Sequence, residues 1–226
     1  MTASKLTILF QGDSITDTGR DRSISLANDP NAMGRGYALL ASCRLLADRP
    51  GQGIAVFNRG ISGNRVPDLQ ARWQKECLAL APDVLSILIG VNDIWHKMEG
   101  RSSGTVAEFE SGYRQLLEQT RRALPDTRLL LCEPFVLRCG AVTERWFPEF
   151  EERRAVVPRL AREHGAALVP FQAVFDRALA QGSAPEYWAP DGVHPSLAGH
   201  QRMADAWLEV AASALETLPD RAAARA

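Results

Sequence analysis

Leu6-Thr7-Ile8-Leu9-Phe10, followed at once by Gln11-Gly12-Asp13-Ser14-Ile15-Thr16, joins a short apolar run to a polar turn. The run is too short for a helix and ends near a glycine, so it reads as a core strand whose carboxyl end opens into a loop. The pattern recurs at Ile54 to Phe57, Val84 to Ile89, Leu129 to Cys132 and Ala167 to Phe171, which gives five predicted strands. Segments with helical length and spacing lie between them at Tyr37 to Ala47, Val66 to Ala79, Val106 to Leu124 and Glu149 to His164. Ala173 to Gln181 and Ser196 to Leu218 complete the predicted helices. Strand alternating with helix predicts right-handed βαβ units, a parallel sheet covered on both faces, and one α/β domain over residues 1–218. The Ala/Arg-rich tail 219–226 is expected to fray. Gly165 stands where a helix-terminating glycine belongs, and Pro125-Asp126 breaks the chain before the fourth strand. Pro158 removes a backbone donor inside its helix and predicts a kink or a split there.

The chain has 226 residues, 46% of them hydrophobic and 23% charged, with no apolar run near the ~18 residues of a membrane span. A membrane or disordered protein is excluded on those grounds. Twenty-six Lys and Arg against 27 Asp and Glu leave a net charge of −1, so no basic field exists to hold a phosphate backbone, and nucleic acid is not an expected partner. The amino-terminal apolar stretch is too short for a signal peptide. Cys43, Cys77, Cys132 and Cys139 have no paired metal-ligand spacing, so they read as free thiols in a cytoplasmic protein.

In an open parallel sheet, ligands bind beyond the carboxyl ends of the strands. Those positions hold Gly12-Asp13-Ser14-Ile15-Thr16, Asn58-Arg59-Gly60-Ile61-Ser62-Gly63-Asn64 and Gly90-Val91-Asn92-Asp93, and Asp191-Gly192-Val193-His194-Pro195 precedes the last helix. Taken singly, each has an ordinary reading as a strand-end turn, a helix cap or a loop histidine. Together they supply the parts of acyl transfer: a hydroxyl, a base, an orienting carboxylate and donors for an oxyanion. Ser14 is the expected nucleophile, His194 its base, and Asp191 the group that fixes the imidazole tautomer. Gly60, lacking a Cβ, is expected to bring a backbone N–H to the substrate, and Asn92 to add its side-chain amide.

These four blocks resemble those of the GDSL-type esterases, or SGNH hydrolases, with Ile15 standing where the family pattern has leucine. The resemblance covers nearly the whole chain. It implies a three-layer α/β/α, flavodoxin-like fold with a five-stranded parallel sheet in the order 2-1-3-4-5. It also implies Ser14, Asp191 and His194 as the triad, Ser14 N–H, Gly60 N–H and Asn92 as oxyanion donors, and no cofactor or metal. Within the family, Asn58 to Leu69 (NRGISGNRVPDL), Ile87 to Trp95 (ILIGVNDIW) and His194 to His200 (HPSLAGH) are similar to bacterial carbohydrate acetylesterases acting on xylo-oligosaccharides. The implied substrate is a small ester, an acetylated sugar. Trp95, Tyr187 and Trp188 lie beside the motif residues and are candidates for stacking on a sugar ring. Asp13, Asn64 and Asp93 are expected to hold the strand-end loops by hydrogen bonds. Arg59 and Arg65 read as salt-bridging residues, and Gly140 to Phe150 as a cover over the site. Trp73, Trp146 and Trp207 read as core or interface, and an exposed Trp146 would point to a homo-oligomer. Two other readings remain open: a broad arylesterase or thioesterase using the same triad, and a metal site on Asp13, Asp17 and Asp93 serving phosphoester hydrolysis. A non-catalytic carbohydrate-binding protein would have no use for Ser14, His194 and Asp191 together.

Overall fold

A computed structural model describes residues 6–216. The expected fraying of 219–226 and the domain boundary at 218 therefore lie outside the described residues. In chain order the elements are β1 (Thr7–Gly12), α1 (Ser14–Asp17), α2 (Tyr37–Asp48), β2 (Ala55–Asn58), α3 (Val66–Glu76), β3 (Val84–Leu88), α4 (Val91–Met98), α5 (Val106–Ala123), β4 (Arg128–Cys132), α6 (Glu149–Glu163), β5 (Ala167–Val169), α7 (Phe171–Ala180), α8 (Pro185–Trp188) and α9 (Leu197–Glu216). Short 3-10 turns occupy Leu78–Leu80 and Glu144–Trp146. The five strands form one sheet in the order β2-β1-β3-β4-β5, every pair parallel, with Ile8 opposite both Val56 and Val84. This is the three-layer, flavodoxin-like order that the resemblance implied.

The period of two along each strand sorts the core into two layers. Ile8, Phe10, Val84, Leu88, Leu130 and Cys132 face Tyr37, Phe171, Phe175, Met203 and Trp207 on one side. Leu9, Leu85, Ile87, Leu129 and Leu131 face Leu69, Trp73, Tyr113, Leu116 and Leu160 on the other. Each fully buried Leu or Ile contributes roughly 1.5–3 kcal/mol, so the central strands anchor both layers. Ser86, the polar exception in β3, accepts a 2.9 Å hydrogen bond from the Trp207 indole N–H across the layer.

Local chemistry sets the helix starts. Thr105 and Glu108 form a reciprocal capping box at α5, with Glu108 N–H on Thr105 Oγ1 at 3.2 Å and Thr105 N–H on Glu108 Oε2 at 2.8 Å. Gly165, at φ +59°, terminates α6 as expected. Several boundaries shift by one to three residues from the sequence reading, and two departures are instructive. β5 stops at Val169, and α7 begins at Phe171 because Pro170 has no N–H for the ladder and fits a helix entry. The predicted split at Pro158 does not occur: α6 runs unbroken from Glu149 to Glu163. Burial of Phe150, Val156, Val157 and Leu160 on that helix outweighs the one missing backbone donor.

Candidate active site

The site lies where the carboxyl ends of β1, β2 and β3 meet the loop before α9. Ser14 is the first residue of α1, a single turn capped by Asp13, whose Oδ1 accepts the Ile15 N–H at 3.1 Å. Its Oγ lies 2.8 Å from His194 Nε2, and His194 Nδ1 lies 2.6 Å from Asp191 Oδ2. The other Asp191 oxygen accepts the backbone N–H groups of Val193 at 2.9 Å and His194 at 2.7 Å. Partial burial pushes the Asp191 carboxyl upward, but these hydrogen bonds outweigh it and hold the group below its ordinary range. An ionised Asp191 accepts only, so the His194 proton sits on Nδ1 and leaves Nε2 to take the Ser14 proton.

The Asp191–His194 turn depends on glycine at two points. Gly192 has φ +84°, and a Cβ there would fall 2.5 Å from the carbonyl oxygens of Leu137 and Cys139. Gly140 sits so close beneath that its Cβ would be 2.4 Å from Asp191 Cα. Two backbone bonds brace the turn, Leu137 N–H to Gly192 O at 2.7 Å and Ala141 N–H to Asp191 O at 2.9 Å. The segment from Gly140 to Phe150 thus packs beside the site. It also carries Trp146, which is 2% exposed and meets Trp95 edge-on at 5.6 Å, so the expectation of an exposed interface tryptophan is corrected. Trp146 belongs to the buried core cluster, where its ring meets Trp95 of α4.

Ser14 N–H, at the first position of a helix, has no hydrogen-bond partner among the described residues and is left as a free donor. Asn92 is held in the first turn of α4 with its Nδ2 on Asn64 O at 3.2 Å, which leaves the second amide hydrogen uncommitted. Gly60 does not meet its expectation, because its N–H donates to Asn58 Oδ1 at 2.8 Å and is already spent. Its small size serves packing instead: a Cβ there would lie 2.5 Å from Asp17 N. The uncommitted donor of that loop is Gly63 N–H, at φ +81°, with open space where a Cβ would be. The sequence carried that signal, since Gly63 stands in the same quoted block.

The remaining candidates separate. Trp95 is half-buried with its ring 5.7 Å from the His194 imidazole, which places it at the site. Tyr187 is 62% exposed. Trp188 is packed in the core, its indole N–H on Ser183 Oγ at 2.7 Å and its ring against Phe175, so it offers no open stacking face. Its carbonyl instead accepts Ser196 N–H at 2.7 Å and fixes the start of α9. Asn64 accepts Arg72 Nε at 2.9 Å, and Asp93 accepts Val66 N–H at 3.3 Å, so both tie loops together as expected. Burial pushes the Asp13 and Asp93 carboxyls up to about 7, their mutual repulsion adding to the rise at Asp13. Arg65 pairs with Asp68 at 3.3 Å, whereas Arg59 lies over the Phe57 ring instead of in a salt bridge. Asp13, Asp17 and Asp93 spend oxygens on backbone N–H groups, and among the described residues no group of three or more His, Cys, Asp or Glu is placed to hold a metal ion.

Ser14, His194 and Asp191 stand in line in the order that acyl transfer to a serine requires. The model of the GDSL-like lipase/acylhydrolase family matches residues 10–202, and the chain belongs to that family. It is 36% identical over 205 residues to an acetylxylan esterase of Geobacillus stearothermophilus, covering 89% of this chain and 91% of that one. A solved structure from Parabacteroides merdae assigned to the GDSL-like lipases superposes with a TM-score of 0.89 at 46% identity, over 92% of this chain and 96% of that one. Axe2, an acetylxylan esterase of Geobacillus stearothermophilus, gives 0.81 at 36% identity in a single-residue variant, over 91% and 94%. The protein is a carboxylesterase. Among the described residues no helix is long and apolar enough to cross a membrane.

Proposed function

We propose that the protein removes O-acetyl groups from short carbohydrates, with acetylated xylo-oligosaccharides as the substrate class, through an acyl-enzyme on Ser14. The observation that carries this reading is the relay from Ser14 Oγ through His194 to Asp191, with contacts of 2.8 and 2.6 Å. His194 Nε2 takes the serine proton as Oγ attacks the ester carbonyl, then returns it to the departing sugar alkoxide. Asp191 stabilises the imidazolium that forms between the two transfers. Water, activated by the same imidazole, releases acetate and restores the serine. Ser14 N–H, Gly63 N–H and the free amide hydrogen of Asn92 receive the negative charge on the carbonyl oxygen, Gly63 replacing Gly60 in that role.

Trp95 supports a sugar on the leaving-group side. Its ring stands beside the imidazole that must protonate the alkoxide, and an aromatic face there suits the apolar face of a pyranose. The similarity to acetylxylan esterases supports the same class. All four cysteines are unpaired, which favours a reducing compartment, and in the cytoplasm the substrate would arrive as imported short oligosaccharides.

The test is acetate release from acetylated xylo-oligosaccharides by wild type and Ser14→Ala in parallel, with chelator present. Release by wild type alone is expected. If neither releases acetate while wild type alone cleaves a short aryl ester, the sugar assignment is wrong and the triad stands. Release by both would overturn the serine mechanism.

A further inference from the structure

Most peptide units of the loop from Asn58 to Asn64 are pinned by side chains from four elements, Asn58 on β2, Asp17 on α1, Arg72 on α3 and Asn92 on α4, and by Arg20. Arg59 O accepts Arg72 Nη1 at 2.8 Å, while the N–H of the same peptide, on Gly60, is held by Asn58 Oδ1 at 2.8 Å. Gly60 O accepts Arg20 Nε at 2.7 Å, while the Ile61 N–H donates to Gly12 O at 3.0 Å. The Ser62 N–H is held by Asp17 Oδ2 at 2.9 Å. Asn64 closes the series, its N–H on Ile61 O, its carbonyl on Asn92 Nδ2 and its side chain on Arg72 Nε. A peptide held at both its carbonyl and its N–H cannot rotate. Within this frame Gly63 N–H alone is left without a partner among the described residues.

Arg72 grips more of this frame than any other side chain. From α3 it reaches Arg59 O at 2.8 Å, Asn64 Oδ1 at 2.9 Å and Gly12 O at 3.4 Å, and Glu76 Oε2 at 2.8 Å orients it from the next turn. It therefore ties the end of β1, just before Ser14, to both ends of the loop that presents Gly63. Through Asn64 it also sets the residue whose carbonyl holds the Asn92 amide. Only a planar guanidinium presents donors along several edges at fixed angles, so lysine cannot reproduce the grip.

We infer that Arg72, on α3, is a positioning residue for the oxyanion site, registering Gly63 N–H and the Asn92 amide against Ser14 through the carbonyls of Gly12 and Arg59 and the side chain of Asn64. Arg72 touches no reacting atom. Its contribution is to hold the donors at the place where charge develops, which matters more in the tetrahedral state than in the bound ester. The inference rests on the proposed serine mechanism.

The experiment compares wild type, Arg72→Lys, Asn64→Ala and Ser14→Ala for hydrolysis of an acetyl ester and for inhibition by a phenylboronic acid, which forms a tetrahedral adduct on the serine. Thermal unfolding is followed for each. Arg72→Lys should lower kcat roughly 10- to 100-fold, below the cost of deleting a donor outright, with KM within about twofold. Boronate affinity should weaken by the same factor as kcat/KM. Asn64→Ala, which removes one end of the grip and leaves the guanidinium in place, should shift boronate affinity in the same direction, and the double variant should lose less than the product of the two. This variant also carries the test if Arg72→Lys fails to fold. Unchanged boronate affinity in a folded variant, with Ser14→Ala inactive, overturns the inference and leaves the serine mechanism standing. Activity surviving in Ser14→Ala overturns the mechanism itself, and with it the role of Arg72.

Discussion

Asp191 and Gly63 show how different the demands on single residues are in this site. Asp191 holds its charge because three hydrogen bonds outweigh its partial burial, and it keeps the His194 proton on Nδ1. Asp191→Asn would favour the other tautomer, with Nε2 protonated and unable to accept from Ser14. The expected result is a fall in kcat of about 10⁴-fold with a melting temperature close to wild type, read by ester hydrolysis and calorimetry side by side. A small loss would move the orienting role to another carboxylate. The two glycines of the second block make a paired prediction. Gly63→Ala meets open space but must hold φ +81°, a strain of roughly 1–2 kcal/mol that tilts the free N–H, so kcat should fall while the fold survives. Gly60→Ala would drive a methyl to 2.5 Å from Asp17 N and should lose stability first. The three residues that meet in the Ser14–His194–Asp191 relay were legible in the sequence because their types stand in recognisable blocks at strand ends and before the last helix. The choice between Gly60 and Gly63 was not, because it turns on which N–H Asn58 had already taken.

At the scale of elements, strand and long-helix existence was legible and the short helices that carry Ser14 and Asn92 were not. Leu6 to Phe10 and Val84 to Ile89 declared themselves as apolar runs, and the capped α5 by its spacing. α1 and α4 begin on the motif residues, so Ser14 and Asn92 read as turn and cap when each is the start of a helix that aims it. Pro158 failed as a breaker because propensity is a local term and α6 is fixed by what it buries. The same separation of local from distant terms predicts that Thr105→Ala, which removes the reciprocal cap of α5, costs about 1 kcal/mol in denaturant unfolding. Activity should be unchanged, since no candidate site residue sits on α5. A loss of activity would show that α5 couples to the site through Arg153, whose guanidinium binds the carbonyls of Gly104 and Thr105.

Three buried titratable groups give the whole molecule a pH dependence with opposed arms. His200 caps α2 by accepting the Tyr37 N–H on Nδ1 at 3.1 Å, and burial lowers it to about 4. Its neutral form is the one the fold accommodates, because a proton on Nδ1 would face the backbone proton. As pH falls from the ordinary histidine value of 6.5 toward 4, the unfolded chain takes up a proton the fold refuses, so His200 lowers stability on that side. Asp13 and Asp93 act in the other direction, both pushed up to about 7 by burial. Their protonated forms suit the fold, so their contribution is complete below the ordinary carboxylate value near 3.8 and is lost as pH rises through about 7. Neither arm was legible in the sequence, since burial at the sheet end is a property of the assembled layers. Two carboxylates outweigh one histidine between about pH 4 and 6.5, so the melting temperature should fall as pH rises from about 4 to about 7 and level off above, with His200 making the fall shallower below pH 6.5. Asp93→Asn should flatten the decline between about pH 4 and 7, and by more than its own share, because it also removes the repulsion that raises Asp13. His200→Gln, which can still offer an acceptor to Tyr37 N–H, should steepen the decline below about pH 6.5 and leave it unchanged between about 6.5 and 7. Melting curves for the three proteins between pH 4 and 9 would decide it; parallel curves would mean that these groups titrate alike in the folded and unfolded chains.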